Sequence, residues 1–144
     1  MNYLDEKKNR LFFLVSGIHL AYQRQADSAL KEVGLTVAQY GILKTAAFQE
    51  GMYQAQIAEA YQTDRTNVMV ICDSLEKKAM ITRQADPDDR RKNRIFVTTA
   101  GRQTLQSADR IIAKLAAPVF ELLTEDKLKE SLPLLEEVYA SLKI

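Results

Sequence analysis

Residues 64–98 read DRTNVMVICDSLEKKAMITRQADPDDRRKNRIFVT, and their hydrophobic period changes once, at Met80. Before Met80 the apolar residues recur at i, i+3, i+4 and i+7, which predicts an amphipathic helix with one buried face. Asp64 stands directly before this helix, where its carboxylate can accept a hydrogen bond from a free backbone N–H group. The predicted buried face consists of Val68, Ile71, Cys72 and Leu75.

Two short segments after Met80 alternate apolar and polar residues, a pattern typical of β-strands with one buried face. They run over Ile81–Ala85 and Arg94–Thr98, and the residues between them, 86–93, are polar and charged. The pattern predicts a two-stranded hairpin with a charged loop.

Two further helices are predicted before this segment. Thr36 and Gln39 match a capping box, which predicts a helix that starts here and ends before Gly51. Residues 54–60 predict a short third helix, and only residues 61–63 separate it from Asp64. Two short helices joined by such a turn are typical of a helix-turn-helix, and a hairpin directly after it predicts a winged helix.

The first predicted helix is apolar on more than one face. It ends at Gly34, a favourable helix C-cap, and carries Phe12, Phe13 and Leu20 outside its main apolar stripe. A second apolar face needs a second partner, which in a chain of this size can be another subunit.

The C-terminal segment is predicted to be helical as well. Apolar residues from Leu105 to Leu122 follow steps of three and four, as in a coiled coil, and Thr124 precedes a last helix. Pro118 and Pro133 are predicted to bend these helices, because proline lacks a backbone donor and its ring collides with the preceding turn.

The composition of the 144 residues excludes several classes of protein. One Cys and one His exclude an intrachain disulfide and a metal site rich in these residues. The longest apolar runs are far shorter than the roughly 20 residues of a transmembrane helix, and the N-terminus lacks the pattern of a signal peptide. We therefore expect a cytoplasmic protein. The sequence has no nucleophile–base pair and no glycine-rich phosphate loop, so we expect neither an enzyme nor a bound cofactor.

The formal net charge of +1 is an average over regions of opposite sign. Residues 62–102 hold nine Lys or Arg and six Asp or Glu, whereas residues 121–144 hold three and six. A near-neutral total therefore does not exclude nucleic-acid binding by the region of the helix and hairpin.

Three linked blocks resemble the MarR family of bacterial transcriptional regulators. They read LEKKAMITR at 75–83, DPDDRR at 86–91 and VTTAG at 97–101, at the spacings of the family pattern. The resemblance implies a mainly α fold with a small β-hairpin wing, in one domain over 1–144. Residues 36–102 would form the winged helix-turn-helix lobe, and residues 1–34 and 103–144 the helices of a homodimer that binds palindromic operators.

Three residues depart from the family pattern. Ala79 stands where the family usually has Gly at the helix end, so either a left-handed Ala costs roughly 1 kcal/mol or the helix ends differently. Val70 and Ser74 stand where many members carry a polar side chain that reads DNA.

The outward face of the helix after Asp64 is the predicted recognition surface. In helix-turn-helix proteins this helix enters the major groove, where Arg can bind guanine, Asn can bind adenine and Val can contact a thymine methyl group. The alternative is a solvated helix face. The candidate residues are Arg65, Thr66, Asn67, Met69, Val70 and Lys77.

The hairpin loop carries the second set of candidates. By resemblance, Asp89 supports the loop and Arg91 enters the minor groove. Arg90, Lys92 and Arg94 would contact phosphates, and Arg83 would either brace the base of the wing or contact the DNA backbone. The alternative is a charged loop that only keeps a sheet edge soluble.

The resemblance also implies a small aromatic or phenolic effector. The candidate lining residues are Tyr3, Phe12, Phe13, Tyr22, Tyr40 and Tyr53, although aromatic residues at helical spacing are more often core. Cys72 lies in a core stripe, which favours an apolar filler over a redox switch.

Two functions are compatible with these patterns. The first is a homodimeric repressor of a palindromic operator, which the effector relieves. The second is a winged helix that binds another protein and has no operator of its own. Val70 and Ser74 favour this second function.

Overall fold

A computed structural model of the chain describes residues 3–142, and the side chains of residues 6–142. These residues form two compact units, which divide after Ile112. The helices and strands, in chain order, are α1 Tyr3–Leu30, a 3-10 turn Lys31–Val33, α2 Val37–Phe48, β1 Met52–Tyr53, α3 Gln54–Tyr61, α4 Arg65–Lys77, β2 Ile81–Ala85, β3 Asn93–Val97, α5 Thr99–Leu122 and α6 Glu125–Leu142.

Helices α2, α3 and α4 pack together as the predicted helix-turn-helix. The capping box at the start of α2 is confirmed. The Thr36 hydroxyl accepts from the Gln39 backbone nitrogen at 3.1 Å, and the Gln39 side-chain oxygen accepts from the Thr36 backbone nitrogen. Asp64 caps α4 by accepting from the Asn67 backbone nitrogen at 2.8 Å. The fully buried side chains of this core include Ile42, Leu43, Ile57, Val68, Cys72 and Leu75.

The wing is a three-stranded antiparallel sheet in the order β1-β3-β2. The predicted hairpin of β2 and β3 is confirmed, with Ile81 paired to Val97 and Arg83 to Ile95. The prediction of two strands was incomplete, because β1 pairs Met52 with Ile95 and adds a third strand. Two residues are too few to show an alternating pattern, so no pattern in the sequence indicated β1.

The last turns of helix α1 pack against the lobe. Ala26 and Leu30 are fully buried, and Asp27 accepts from the Val37 backbone nitrogen at 2.6 Å. Gly34 ends the helix with φ of 70°, as predicted. The earlier part of the predicted core stripe is exposed within this chain, at Leu11, Leu14, Val15 and Ile18.

Each of the two C-terminal helices contains a proline. The first part of α5 closes the lobe by burying Gly101, Leu105 and Ala108, and Pro118 lies near its end. Helix α6 contains Pro133, and its predicted apolar stripe is exposed at Leu132, Leu135 and Leu142. No helix within residues 3–142 is long and apolar enough to cross a membrane.

Ala79 has the left-handed backbone that Gly usually provides. Its φ is 55°, and the Thr98 hydroxyl donates to its carbonyl at 2.7 Å. The chain therefore keeps the turn from α4 into β2 although it lacks the family's Gly. A Cβ in this conformation lies too close to the following carbonyl oxygen, which costs about 1 kcal/mol.

Ala79→Gly should therefore raise the free energy of unfolding by about 0.5–1 kcal/mol, because it relieves this strain and removes no buried contact. Urea unfolding followed by circular dichroism measures the change. Ala60→Gly is the matched control: Ala60 is an exposed residue inside α3, where Gly should cost up to about 1 kcal/mol. Equal destabilisation by both substitutions would contradict the assignment of strain to residue 79.

Candidate nucleic-acid interface

One face of α4 is exposed because the opposite face fills the core of the lobe. The side chains of Met69 and Val70 are 48% and 58% exposed, which is unusual for apolar residues in the middle of a short helix. The side-chain amide of Asn67 already makes one hydrogen bond within the protein, since its Nδ2 donates to the Thr63 hydroxyl at 2.9 Å. All six predicted recognition residues lie on the exposed face, namely Arg65, Thr66, Asn67, Met69, Val70 and Lys77.

A cleft of about 590 Å³ lies between α4, the start of α3 and the wing. It brings together five of the predicted residues from two separate segments: Arg65, Thr66, Met69, Arg91 and Lys92. Tyr53, which we predicted as an effector residue, also lines the cleft. Sequence reasoning missed the four other lining residues, because the start of α3 showed only a buried stripe and Asn93 no functional pattern. They are Gln54, Ala55, Gln56 and Asn93. Asn67, Val70 and Lys77 do not line the cleft.

Arg91 is a strongly exposed cation of the wing, with 90% of its side chain accessible to solvent. Asp89 holds its base in place, since Asp89 Oδ1 accepts from both the backbone nitrogen and Nε of Arg91 at 3.1 Å. These bonds lower the pKa of Asp89, chiefly through the Arg91 side chain. Lys92 Nζ lies 3.8 Å from Asp89 Oδ2, and Arg90 is exposed. The geometry agrees with a supporting role for Asp89.

Asp86 is the centre of the wing, and sequence reasoning did not single it out. Only 3% of the residue is exposed, and its carboxylate accepts four hydrogen bonds. The Tyr53 hydroxyl donates at 2.5 Å and Arg94 Nε at 2.7 Å. The backbone nitrogens of Asp88 and Asp89 donate at 2.9 Å and 3.1 Å. These donors, the Tyr53 hydroxyl first, hold the pKa of Asp86 well below its ordinary value.

The guanidinium of Arg94, a predicted phosphate contact, is engaged within the protein. Besides the bond to Asp86, its Nη2 lies 3.3 Å from the Tyr53 hydroxyl, and the guanidinium stands 5.4 Å from the centre of the Tyr53 ring. The ion pair with Asp86 offsets its charge. These contacts favour a structural role.

Arg83 braces the wing against α4, which was one of its two predicted roles. Its side chain is only 17% exposed, and it binds Asp73 Oδ1 and Glu76 Oε2, both at 2.6 Å. Burial alone would lower the pKa of Arg83, but the hydrogen bonds from its guanidinium to Asp73 and Glu76 raise it. Because both carboxylates belong to α4, the guanidinium fixes β2 to the recognition helix.

The predicted effector residues lie in different parts of the structure. Phe12, Phe13 and Tyr22 are exposed on α1, whereas Tyr53 belongs to the wing. Tyr40 is buried on α2, where its hydroxyl donates to Asp109 of α5 at 2.7 Å and accepts from Lys44. The side chain of Tyr3 lies outside the described residues. The contacts within one chain therefore do not collect the other five into one pocket.

Cys72 is fully buried in the core of the lobe. Burial raises the pKa of its thiol, which disfavours the reactive thiolate. This agrees with its interpretation as an apolar filler.

Comparison with known proteins identifies the lobe. The model of the MarR family matches residues 35–92, which include α2, β1, α3, α4, β2 and the wing loop up to Lys92. The fold is similar to that of CouR, a transcriptional repressor solved with a 23-mer DNA duplex, with a TM-score of 0.83 and 26% identity over 96% of this chain and 99% of that one. Residues 35–92 of this chain thus match the MarR family, and the fold matches the structures of MarR-family regulators. The match covers nine of the ten residues that line the cleft, all except Asn93.

Two other likenesses agree with this assignment. The crystal structure of CouR from Rhodococcus jostii RHA1 bound to p-coumaroyl-CoA gives a TM-score of 0.81, at 26% identity over 89% of this chain and 90% of that one. A protein of Thauera aromatica described as a transcriptional regulatory protein for the hcr operon is 29% identical over 103 residues. That match covers 72% of this chain but only 62% of the Thauera protein.

Because of the hydrogen bonds to Asp86, we expect the free energy of unfolding to fall at acid pH. Since its pKa is lower in the folded protein than the ordinary 3.8, the stabilisation is complete above that value and is lost as the pH falls below it. Asp86→Asn should therefore lower the free energy of unfolding at pH 7 and reduce its decline between about pH 4 and pH 2.

Urea unfolding at a series of pH values checks this expectation, with Asp88→Asn as the control, because Asp88 is an exposed acid of the same loop. If both substitutions changed the pH profile equally, the acid sensitivity would not come from Asp86.

Proposed function

We propose that this chain is a MarR-family homodimeric repressor that binds a palindromic DNA operator. The observation that carries the proposal is the cleft between α4 and the wing. It presents Arg65 of the helix and Arg91 and Lys92 of the wing on one surface, although they are far apart in the sequence. A polyanion that contacts both elements would gain from all three charges.

In this proposal α4 enters the major groove. Arg65 is exposed in the first turn and can bind the O6 and N7 atoms of guanine, and Thr66 can donate to or accept from a base edge. The exposed side chain of Val70 suits a thymine methyl group. The wing would then place Arg91 at the neighbouring minor groove, while Arg90 and Lys92 contact phosphates.

The exposed apolar face of α1 supports a second copy of the chain as the partner. A single chain leaves a group of large apolar side chains in water along one helix, which includes Leu11, Phe12, Phe13, Leu14, Val15, Ile18 and Leu20. Monomeric proteins rarely expose such patches. A two-fold dimer would carry two reading lobes, and a palindromic operator would match its symmetry.

We also propose that a small aromatic or phenolic ligand relieves the repression. The complex of CouR with p-coumaroyl-CoA supports this part by similarity. Such a ligand can act only if it binds the arrangement that does not fit DNA more tightly than the one that does.

A protein-interaction module is the second candidate, and one observation favours it. Met69 and Val70 are exposed in the middle of the recognition face, and apolar side chains there suit a protein partner as well as thymine methyl groups. The cations of the cleft favour DNA.

Selection of bound duplexes from a random library is the experiment that tests the proposal. Recovery of a two-fold symmetric motif with half-sites about one helical turn apart is expected. A selected motif without symmetry would contradict the dimer, and no enrichment would favour the interaction module. Small phenolic acids added to the bound duplex should release it at constant salt, and unchanged binding with every acid would contradict the effector.

The salt dependence of binding distinguishes residues that contact DNA phosphates from residues that only stabilise the wing. Arg90→Gln should reduce the slope of log K against log salt by about 0.9 for each lobe, since one phosphate contact and its released counterion are lost. Arg83→Gln should weaken binding but leave this slope unchanged, because the Arg83 guanidinium binds Asp73 and Glu76. Titrations of fluorescent duplex between about 50 and 200 mM salt measure both slopes. An equal loss of slope in Arg83→Gln would mean that Arg83 contacts a phosphate.

A further inference from the structure

Asp86 is the one buried charged side chain among residues 6–142, and it does not lie in the helical core. It lies where the wing loop leaves β2. Burying a carboxylate is costly unless it is fully hydrogen-bonded, and this one has four donors. A loop that only needed to be soluble would not require a buried charge.

The donors to Asp86 come from three different segments. Tyr53 belongs to β1, Arg94 to β3, and the two backbone nitrogens to the loop itself. Tyr53 and Arg94 are also cross-strand partners in the sheet. One carboxylate therefore joins the loop to both strands.

Two loop residues that flank Arg91, namely Asp89 and Lys92, are hydrogen-bonded to Asp86. The backbone nitrogen of Asp86 donates to the Lys92 carbonyl at 2.9 Å, and the Lys92 nitrogen donates to the Asp89 carbonyl at 2.9 Å. Asp89 in turn accepts from Arg91. The backbone that carries Arg91 is thus closed on Asp86 from both ends.

Tyr53 connects this arrangement to the helix-turn-helix. It is the residue directly before α3, and its backbone nitrogen donates to the Gln56 side chain at 2.9 Å. The position of the Tyr53 hydroxyl therefore follows the position of α3. The hydrogen bond between Asp86 and Tyr53 therefore fixes the wing loop relative to the start of α3, which lines the same cleft as α4.

We propose that Asp86 and Tyr53 form a positioning unit that sets where Arg91 meets the DNA, without contacting the DNA themselves. The inference rests on the proposed function. Arg94 belongs to this unit, and its guanidinium pairs with the Asp86 carboxylate rather than with a phosphate. With the unit intact, the wing loop is ordered before it meets a duplex, so binding does not have to supply the entropy of ordering it.

Tyr53→Phe is the most selective test, because it removes one hydroxyl and no charge. The first measurement is hydrogen exchange of the free protein. Exchange at the backbone amides of Asp88, Asp89 and Lys92 should become several-fold faster, since the loop loses one of its attachments. Tyr61→Phe removes a hydroxyl elsewhere in the same lobe and should leave these amides unchanged. Unchanged exchange in Tyr53→Phe would overturn the unit.

The second measurement is a double-mutant cycle with Arg91→Ala on the duplex recovered by selection from the random library. Tyr53→Phe should weaken binding by about ten-fold, the usual range for a hydrogen bond to a charged group. Arg91→Ala should then cost at least about three-fold less in the Tyr53→Phe protein than in the wild type, because Arg91 is no longer held in place. Asp86→Asn, which keeps the shape of the side chain, should give the same coupling.

Ile42→Val is the control for a merely structural effect. It makes a small cavity at a buried residue of α2 and removes no hydrogen bond of the wing loop, so its effect on binding should be additive with that of Arg91→Ala. Additive effects of Tyr53→Phe and Arg91→Ala would overturn the positioning role while the wild type still binds. Absence of binding by the wild-type protein would instead overturn the proposed function, and the positioning role with it.

Discussion

The burial of one stripe of α4 constrains most of the lobe. Val68, Ile71, Cys72 and Leu75 pack into the core between α2 and α3, so the other side of the helix has to face solvent. The helix is only 13 residues long, and the burial of four of them leaves little freedom in how it is turned. Each burial of a full aliphatic side chain contributes about 1.5–3 kcal/mol, which exceeds any preference of the exposed residues. The direction of Arg65 and Val70 is therefore set by the core.

Polar contacts then fix the elements around the C-terminal half of α4. At its C-terminal end, Lys78 donates to the Gly34 carbonyl at 2.6 Å, and Ser74 accepts from Gln39 at 2.9 Å. On the wing side, Arg83 binds two carboxylates of the helix. The helix is thus held against the junction of α1 and α2 and against β2 by hydrogen bonds that suit no other orientation.

The sequence allowed the helices and the hairpin to be predicted because their signals are local. A capping box spans four residues, and an amphipathic stripe repeats within two turns. The structure confirms both at Thr36 and along α4. The third strand was missed because two residues carry no period. The Asp86 cluster was missed for a different reason: Tyr53 and Asp86 are 33 residues apart, and only the pairing of β1 with β3 brings them together.

Charged residues illustrate the same limit. Arg83 and Arg94 were grouped with Arg90 and Arg91 because all four lie in one basic segment. The structure separates them by exposure. Arg83 and Arg94 pair with carboxylates at 2.6–2.7 Å, and the Arg83 side chain is only 17% exposed. Arg91 also pairs with Asp89, at 3.1 Å, but 90% of its side chain is exposed. Composition counts charges, but only contacts tell which of them are offset within the protein.

The depth at which each charge lies also determines how the protein responds to ionic strength. Dissolved ions screen exposed charges over about 8–10 Å at physiological concentrations, but they reach buried pairs poorly. Arg91 is open to such screening, whereas Asp86 and the guanidinium of Arg83 are largely closed to it. Added salt therefore weakens the attraction of the exposed cations more than it weakens these inner ion pairs. The surface keeps its shape while it loses its attraction.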